Sequence, residues 1–257
     1  MDANLPSVND YDLAADLVRS AGTLAADMLA GGLETRYKTS ISDVVSGADE
    51  AAERLVADRL SDVRPDDAVV GEEGAKRPGG RRTWYIDPVD GTYNFLSRVP
   101  YWCSAIGLVD DAGPVAGAVY YPGLDELWVG GPAQPTTLDG DPVPELLDQP
   151  LAAVSIATYL HPRYVKDRQR VDPWLAAVSA AATLRMLGSA SVDLAGVASG
   201  RLGVFLQANL SPWDWYPGAA LVIGAGGVAE TLHVGGNVWQ IAGNRQSVAE
   251  TKAALQG

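Results

Sequence analysis

The sequence predicts a mixed α/β (α+β) fold of layered sheets and helices, and three observations carry that prediction. Helical periods of apolar residues open the chain, a meander of short strands fills its middle, and strand and helix alternate through the remainder. The mix of meander and alternation implies layers rather than a regular barrel, and no repeat of fixed period is visible.

Asn9 or Asp10 caps a first helix whose apolar positions Leu13, Leu17, Leu24 and Met28 recur at helical spacing until Gly31 and Gly32 stop it. A second helix runs from about Asp49 through Ala52, Leu55, Val56 and Leu60, and ends before Pro65. It places Asp49 in an electropositive first turn. The period then becomes strand-like. Val69-Val70 leads into Gly71-Glu72-Glu73, and Thr83 to Ile86 leads into Asp87-Pro88, so two short buried strands each end in carboxylates. From Trp102 to Val129 three strands separated by DDAG and PG turns form an antiparallel meander.

The stretch from Gly130 to Pro150 is rich in proline and lacks a period, and reads as a surface connection. It divides a single 257-residue domain into an N-terminal α+β half (about 1–135) and a C-terminal α/β half (about 150–257). The second half is expected to hold a strand at AAVSIA, a helix opened by Asp172-Pro173, a strand at Thr183 to Met186 and a helix from about Ser191 to Ser199. Strand GVFLQ follows, then a helix from Asp214 to Gly226-Gly227, strands at VAETL and VWQIAG, and a terminal helix after Asn244.

Composition narrows the function. With 47% hydrophobic and 20% charged residues the chain supports a real core, and no apolar run approaches 18 residues. The first ten residues carry acids where a secretory leader carries Lys or Arg, so a cytoplasmic protein without a membrane partner is expected. One cysteine and two histidines leave neither an intrachain disulfide nor a Cys/His zinc cage. The net charge of −13 repels nucleic acid and favours divalent cations. Cys103, His161 and His233 read as packing or surface residues, and Arg77, Arg81 and Arg82 as a solvated loop or a lid.

The segment Trp84 to Phe95, WYIDPVDGTYNF, is the most informative. A strand ends at Asp87, kinks through Pro88 and presents Asp90, Gly91 and Thr92 at a helix start, so two carboxylates face one space. Two unit charges at 4 Å repel by about 1 kcal/mol in water and about 4 kcal/mol at an effective dielectric of 20. A shared proton or a hard divalent cation must neutralise them, and Glu72, Asp49 and Asp214 are the further acids available. Gly91 permits close backbone approach, and the Gly91 and Thr92 amides at a helix start suit phosphate oxygens. Phosphate enters a carboxylate cluster only where cations reverse the local sign, which points to metal-assisted hydrolysis of a phosphate ester; taken as an isolated hexapeptide, Asp87 to Thr92 reads instead as an ordinary Asx-type turn.

These residues, with others in order along the chain, resemble the inositol monophosphatase family, the magnesium-dependent, lithium-sensitive sugar-phosphate phosphatases related to fructose-1,6-bisphosphatase. Gly71-Glu72-Glu73, Asp87-Pro88-Val89-Asp90-Gly91-Thr92 and Trp213-Asp214 with its helix to Gly226-Gly227 match the family's three signatures. Lys38 and Asp43 to Asp49 match its D-x-V-T-x-x-D segment, with Ser46 for Thr, and Arg185 to Ala190 match R-x-x-G-[ST]-A.

The resemblance implies a layered αβαβα sandwich and a magnesium-dependent phosphomonoesterase. It implies two Mg²⁺ ions, with a third near Glu72 where present: one held by Glu72, Asp87 and the Val89 carbonyl, the other by Asp87, Asp90 and Asp214. It further implies catalytic roles for Asp49, Thr92 and Glu72, phosphate binding by Gly91 and Thr92, and substrate contacts from Gly188, Ser189, Ala190 and Gln207. Gln207 stands where members acting on inositol or histidinol phosphates carry Glu, and W-D-W-Y-P-G departs from W-D-x-A-A-G by a proline expected in the helix's first turn. A small phosphorylated metabolite as partner and a homodimer are implied too. The substrate read first is myo-inositol 1-phosphate. Histidinol phosphate, a 3′-phosphonucleotide, fructose 1,6-bisphosphate and a non-catalytic inositol-phosphate-binding role are the alternatives.

Overall fold

A computed structural model of the chain describes residues 9–31, 35–40 and 43–257, with residues 35–40 and 43–46 described by their backbone alone. Helix α1 (Asp10–Gly31) is capped by Asn9, whose side chain accepts the Asp12 amide at 2.8 Å. Strands β1 (Thr35–Ser40) and β2 (Asp43–Ser46) form an antiparallel hairpin that carries Lys38 and Asp43, and the side chains of both lie outside the described part. Helix α2 (Gly47–Val63) begins two residues before Asp49.

Strands β3 (Ala68–Gly71), β4 (Lys76–Arg77), β5 (Thr83–Asp90), β6 (Cys103–Asp110), β7 (Gly113–Tyr121), β8 (Glu126–Gly131), β9 (Gln134–Leu138) and β10 (Asp141–Pro142) build one sheet in the order β10-β9-β8-β7-β6-β5-β3-β4. The short helix α3 (Thr92–Leu96) follows β5 directly. The expected loop from Gly130 to Pro150 is therefore strand as far as Pro142. Its prolines are tolerated because Pro142 sits on the outermost strand and exposed Pro135 on its neighbour, while Thr136 is buried and donates to the Leu221 carbonyl at 2.6 Å. In the loop read as solvated or as a lid, Arg77 donates to the Arg64 and Asp67 carbonyls at 2.8 and 2.9 Å, and Arg82 pairs with Asp10 at 2.8 Å.

The second sheet, in the order β12-β11-β13-β15-β14, is made of β11 (Ser155–Thr158), β12 (Thr183–Arg185), β13 (Val204–Ala208), β14 (Val228–Val234) and β15 (Asn237–Gly243). Helices α4 (Arg168–Ser179), α5 (Ala190–Ala198), α6 (Pro212–Gly224) and α7 (Arg245–Gln256) connect or close it. Helix α4 starts before the expected Asp172-Pro173, because Asp167 caps it by accepting the Gln169 amide at 3.1 Å, and Pro173 lies inside.

Alternation along the strands sorts their side chains into separate cores. Trp84, Ile86, Ile106 and Leu108 face α1 and α2. Cys103, Ala105, Val119 and Trp128 face α5 and α6, which also cover Ala157, Phe205 and Ala242 of the second sheet. The far side of that sheet packs Ile156, Leu206 and Ile241 on α4 and α7. The result is five layers, αβαβα, with α5 and α6 as the shared central layer.

Helix α6 comes unusually close to the first sheet. Pro217 lies in its second turn, not the first, and Gly107 and Gly117, paired across β6 and β7, make room for it. A Cβ on Gly107 would stand 2.9 Å from the Pro217 nitrogen, and one on Gly117 2.1 Å from the Pro217 carbonyl oxygen. Replacing Gly117 by Val is expected to destabilise the protein by about 1–3 kcal/mol through overpacking, read as a lower denaturation midpoint at unchanged slope.

Candidate active site

Three carboxylates converge where the first sheet meets the central helices. One oxygen from each of Asp87, Asp90 and Asp214 lies within 4.8 Å of the others. Asp87 and Asp90 are three apart, and in a regular strand residues at odd spacing point to opposite faces. The register against β6 supplies the reason they do not: Asp87 pairs with Ala105 and Asp90 with Cys103, so three steps on β5 span two on β6. This bulge turns both side chains toward the α5–α6 layer. The strand thus continues through Pro88 to Asp90, where the sequence suggested a kink at its end. Asp214 reaches the same point from the first turn of α6, whose Pro212 and Ser211 start the helix.

Asp90 is held from both sides of its carboxylate. Its Oδ1 accepts the Ala190 amide at 3.2 Å and its Oδ2 accepts the Ser191 amide, so the first turn of α5 clamps it. Ser189 caps that helix, its Oγ accepting the Val192 amide. Gly91 bridges the two segments: its φ is +96°, and a Cβ there would lie 3.1 Å from the Gly188 carbonyl oxygen. Asn94 of α3 adds a tie by donating to the Tyr101 and Leu187 carbonyls, both at 2.8 Å.

Of the remaining expected residues, Glu72, Val89 and Thr92 lie beside this cluster and Gly188, Ser189, Ala190 and Gln207 line the cavity next to it. Asp49 is buried in the first turn of α2. Glu72 follows β3, is half-buried, and donates its amide to the Ile86 carbonyl at 3.1 Å. Its oxygens are not among the three that cluster, although its charge acts on Asp87. The Val89 carbonyl accepts the Thr92 hydroxyl at 3.1 Å. Gly188, Ser189, Ala190 and Gln207 line a cavity of about 800 Å³ that opens onto Asp90 and Asp214.

Several cavity residues escaped the sequence reading: Tyr93, Asn94, Tyr159, Leu210 and Asp193. The signal for Asp193 was a lone acid inside the apolar run of α5. It accepts the Tyr101 hydroxyl at 2.7 Å, and burial raises its carboxyl to about 8. Glu53 is a further buried acid, and its side chain accepts the amides of Glu73 and Ala75, each at 2.7 Å. Cys103 is buried as expected, and burial holds its thiol well above the ordinary range.

Burial dominates the electrostatics of the cluster. It raises Asp87 well above the usual carboxylate range, and the charges of Glu72, Asp90 and Asp214 add to the effect. Burial also raises Asp90 against the opposing bonds from α5, and raises Asp214 to about 7 with the Asp90 charge as the next cause. One Asp87 oxygen, Oδ1, is buried without a hydrogen-bond partner among the described residues. An all-oxygen donor set with an orphaned buried carboxylate oxygen suits a hard divalent cation.

The model of the inositol monophosphatase family matches residues 9–256. Inositol monophosphatase 2 of Solanum lycopersicum is 31% identical over 95% of this chain and 94% of its own length. Nus factor SuhB of Xylella fastidiosa is 33% identical over 86% and 80% respectively. Among solved structures, the extragenic suppressor protein suhB of Bartonella henselae superposes with a TM-score of 0.85 at 27% identity, covering 95% of this chain and 97% of that one.

A pH dependence follows from the raised carboxyls. Between the unfolded value of 3.8 and the folded value of about 7, Asp214 keeps a proton that the unfolded chain has lost. Stability is therefore lost as pH rises through that window. In thermal melts with chelator, this cluster is expected to lower the melting temperature from pH 5 to pH 8, and added Mg²⁺ is expected to raise it more at pH 8 than at pH 5.

Proposed function

The chain belongs to the inositol monophosphatase family, a family of phosphatases, and from that membership we propose that it is a Mg²⁺-dependent phosphomonoesterase acting on a small polyol phosphate, myo-inositol 1-phosphate first among them. The observation that carries the proposal is the junction of the Asp87, Asp90 and Asp214 cluster with a cavity of about 800 Å³.

In this reading Asp87, Asp90, Asp214, Glu72 and the Val89 carbonyl would hold two Mg²⁺ ions, a third being optional. When bound, the ions lower the pKa of a coordinated water and stabilise the leaving oxygen. The protein supplies the orientation. Thr92 sends its own proton to the Val89 carbonyl, so its oxygen keeps lone pairs to accept a hydrogen bond from the attacking water. Asp49 is the second acceptor that orients that water and takes up its proton. The Gly91 and Thr92 amides donate to the phosphate oxygens. Gly188, Ser189, Ala190 and Gln207 meet the rest of the substrate from the cavity wall.

Gln207 orders the candidate substrates. A neutral amide bonds hydroxyls but cannot pair with an ammonium, which favours a polyol over histidinol phosphate. The same proposal includes a homodimer, supported by the exposed edge strand β12, which carries exposed Leu184 and is followed by exposed Met186 and Leu187. It also includes inhibition by lithium and a cytoplasmic location. No described helix is long and apolar enough to cross a membrane.

Phosphate release from a panel of myo-inositol 1-phosphate, histidinol phosphate, a 3′-phosphonucleotide and fructose 1,6-bisphosphate, with and without Mg²⁺, tests this reading. Mg²⁺-dependent release, highest from the inositol ester, is expected; no release from any ester contradicts it. Asp90→Asn and Asp214→Asn are each expected to lower kcat at least 100-fold, on the order of 3 kcal/mol in the barrier, with the circular dichroism of the folded protein retained. Gln207→Glu is expected to shift preference toward histidinol phosphate.

A further inference from the structure

Glu53 is among the buried acids that the mechanism leaves unused. Glu53 lies one helical turn after Asp49 on the same face of α2, and only 4% of it is exposed. Its two oxygens are spent on the backbone just beyond β3: Oε2 accepts the Glu73 amide and Oε1 the Ala75 amide, each at 2.7 Å. An ionised acceptor makes such bonds short and strong. The same turn is closed by the Gly71 amide donating to the Ala75 carbonyl at 2.8 Å.

Gly71 is fitted to this carboxylate. A Cβ at that position would stand 2.2 Å from Glu53 Oε2 and 2.4 Å from its carboxyl carbon. Glu53 therefore fixes the chain on both sides of Glu72, by van der Waals contact at residue 71 and by hydrogen bonding at residue 73. The Glu72 amide is anchored separately to the Ile86 carbonyl on β5, one residue before Asp87. With its backbone held at three points, Glu72 has only side-chain torsions left to bring its charge to bear on Asp87.

We propose that Glu53 is a positioning residue for the metal centre: its carboxylate clamps the Gly71–Ala75 turn so that Glu72 is presented to Mg²⁺ in a fixed place. Helix α2 then serves the site twice, with Asp49 at its first turn and Glu53 one turn on. The proposal rests on the reading of Glu72 as a metal ligand. It separates a role in metal affinity from one in folding, because a turn that is merely stabilised has no preferential effect on the ligand it carries.

Calorimetric titration of the full chain with MgCl₂ tests it, using the wild type, Glu53→Gln, Glu72→Gln and the double variant. Glutamine keeps the shape but turns an NH₂ group toward one of the two amides, a donor facing a donor. Glu53→Gln is expected to weaken Mg²⁺ binding about 10- to 100-fold, and to weaken it less than threefold further when Glu72 is already Gln. Wild-type affinity in Glu53→Gln, or the same factor in both backgrounds, overturns the proposal. Glu53→Asp, which retains the charge on a shorter arm, is read in the same way if the glutamine variant does not fold. Failure of both to fold assigns Glu53 to folding alone and overturns it equally. No Mg²⁺ uptake by the wild type would instead refute the metal-dependent reading of the site itself.

Discussion

Mutual repulsion among clustered carboxylates, two buried and one half-buried, governs this molecule. Asp87, Asp90 and Asp214 bring oxygens within 4.8 Å of one another, and at an effective dielectric of 20 each charged pair at that separation repels by on the order of 3 kcal/mol. Burial penalises each charge again, which is why all three carboxyls are raised. The fold concentrates negative charge that protons or cations must balance. A phosphate ester is attracted to such a place only when the balance is struck by cations, so the repulsion and the proposed chemistry share one cause.

The architecture keeps the three groups from relaxing apart. Asp87 and Asp90 are committed by a bulge whose register is set along β6, and Asp90 is further clamped by the first turn of α5. Asp214 rides on α6, seated on the paired glycines Gly107 and Gly117 through Pro217. The departure from the family's W-D-x-A-A-G pattern is thus matched by missing side chains on the opposing strands. The central helical layer touches both sheets, and the cavity forms where its helix starts meet the end of β5.

Much of this was legible in the sequence, for identifiable reasons. The apolar stripe of α1, the alternation in β5 to β8 and the Gly stop after α6 are local signals, and the structure places elements there. The carboxylates at the end of β5 were legible only together with the other acidic segments in order along the chain, because two Asp and a Gly after a strand also make an ordinary Asx-type turn. Other features depend on partners distant in the chain. The bulge exists only relative to β6, and Pro135 and Pro142 read as loop until their place near a sheet edge is known. Helix α4 was placed too late because Asp172-Pro173 imitates a helix start that Asp167 in fact provides. Nothing local sets Glu53 apart, and Asp193 is marked only by its place in an apolar run; the approach of the turn beyond Gly71 and of Tyr101 distinguishes them.

The central claim is that these carboxylates exist to share divalent cations. Anomalous diffraction from crystals grown with MnCl₂, collected at the manganese edge, tests it most directly. Peaks about 2.1 Å from oxygens of Asp87, Asp90 and Asp214 are the predicted result. Manganese found only elsewhere, with the three carboxyls joined by hydrogen bonds to one another, would contradict it.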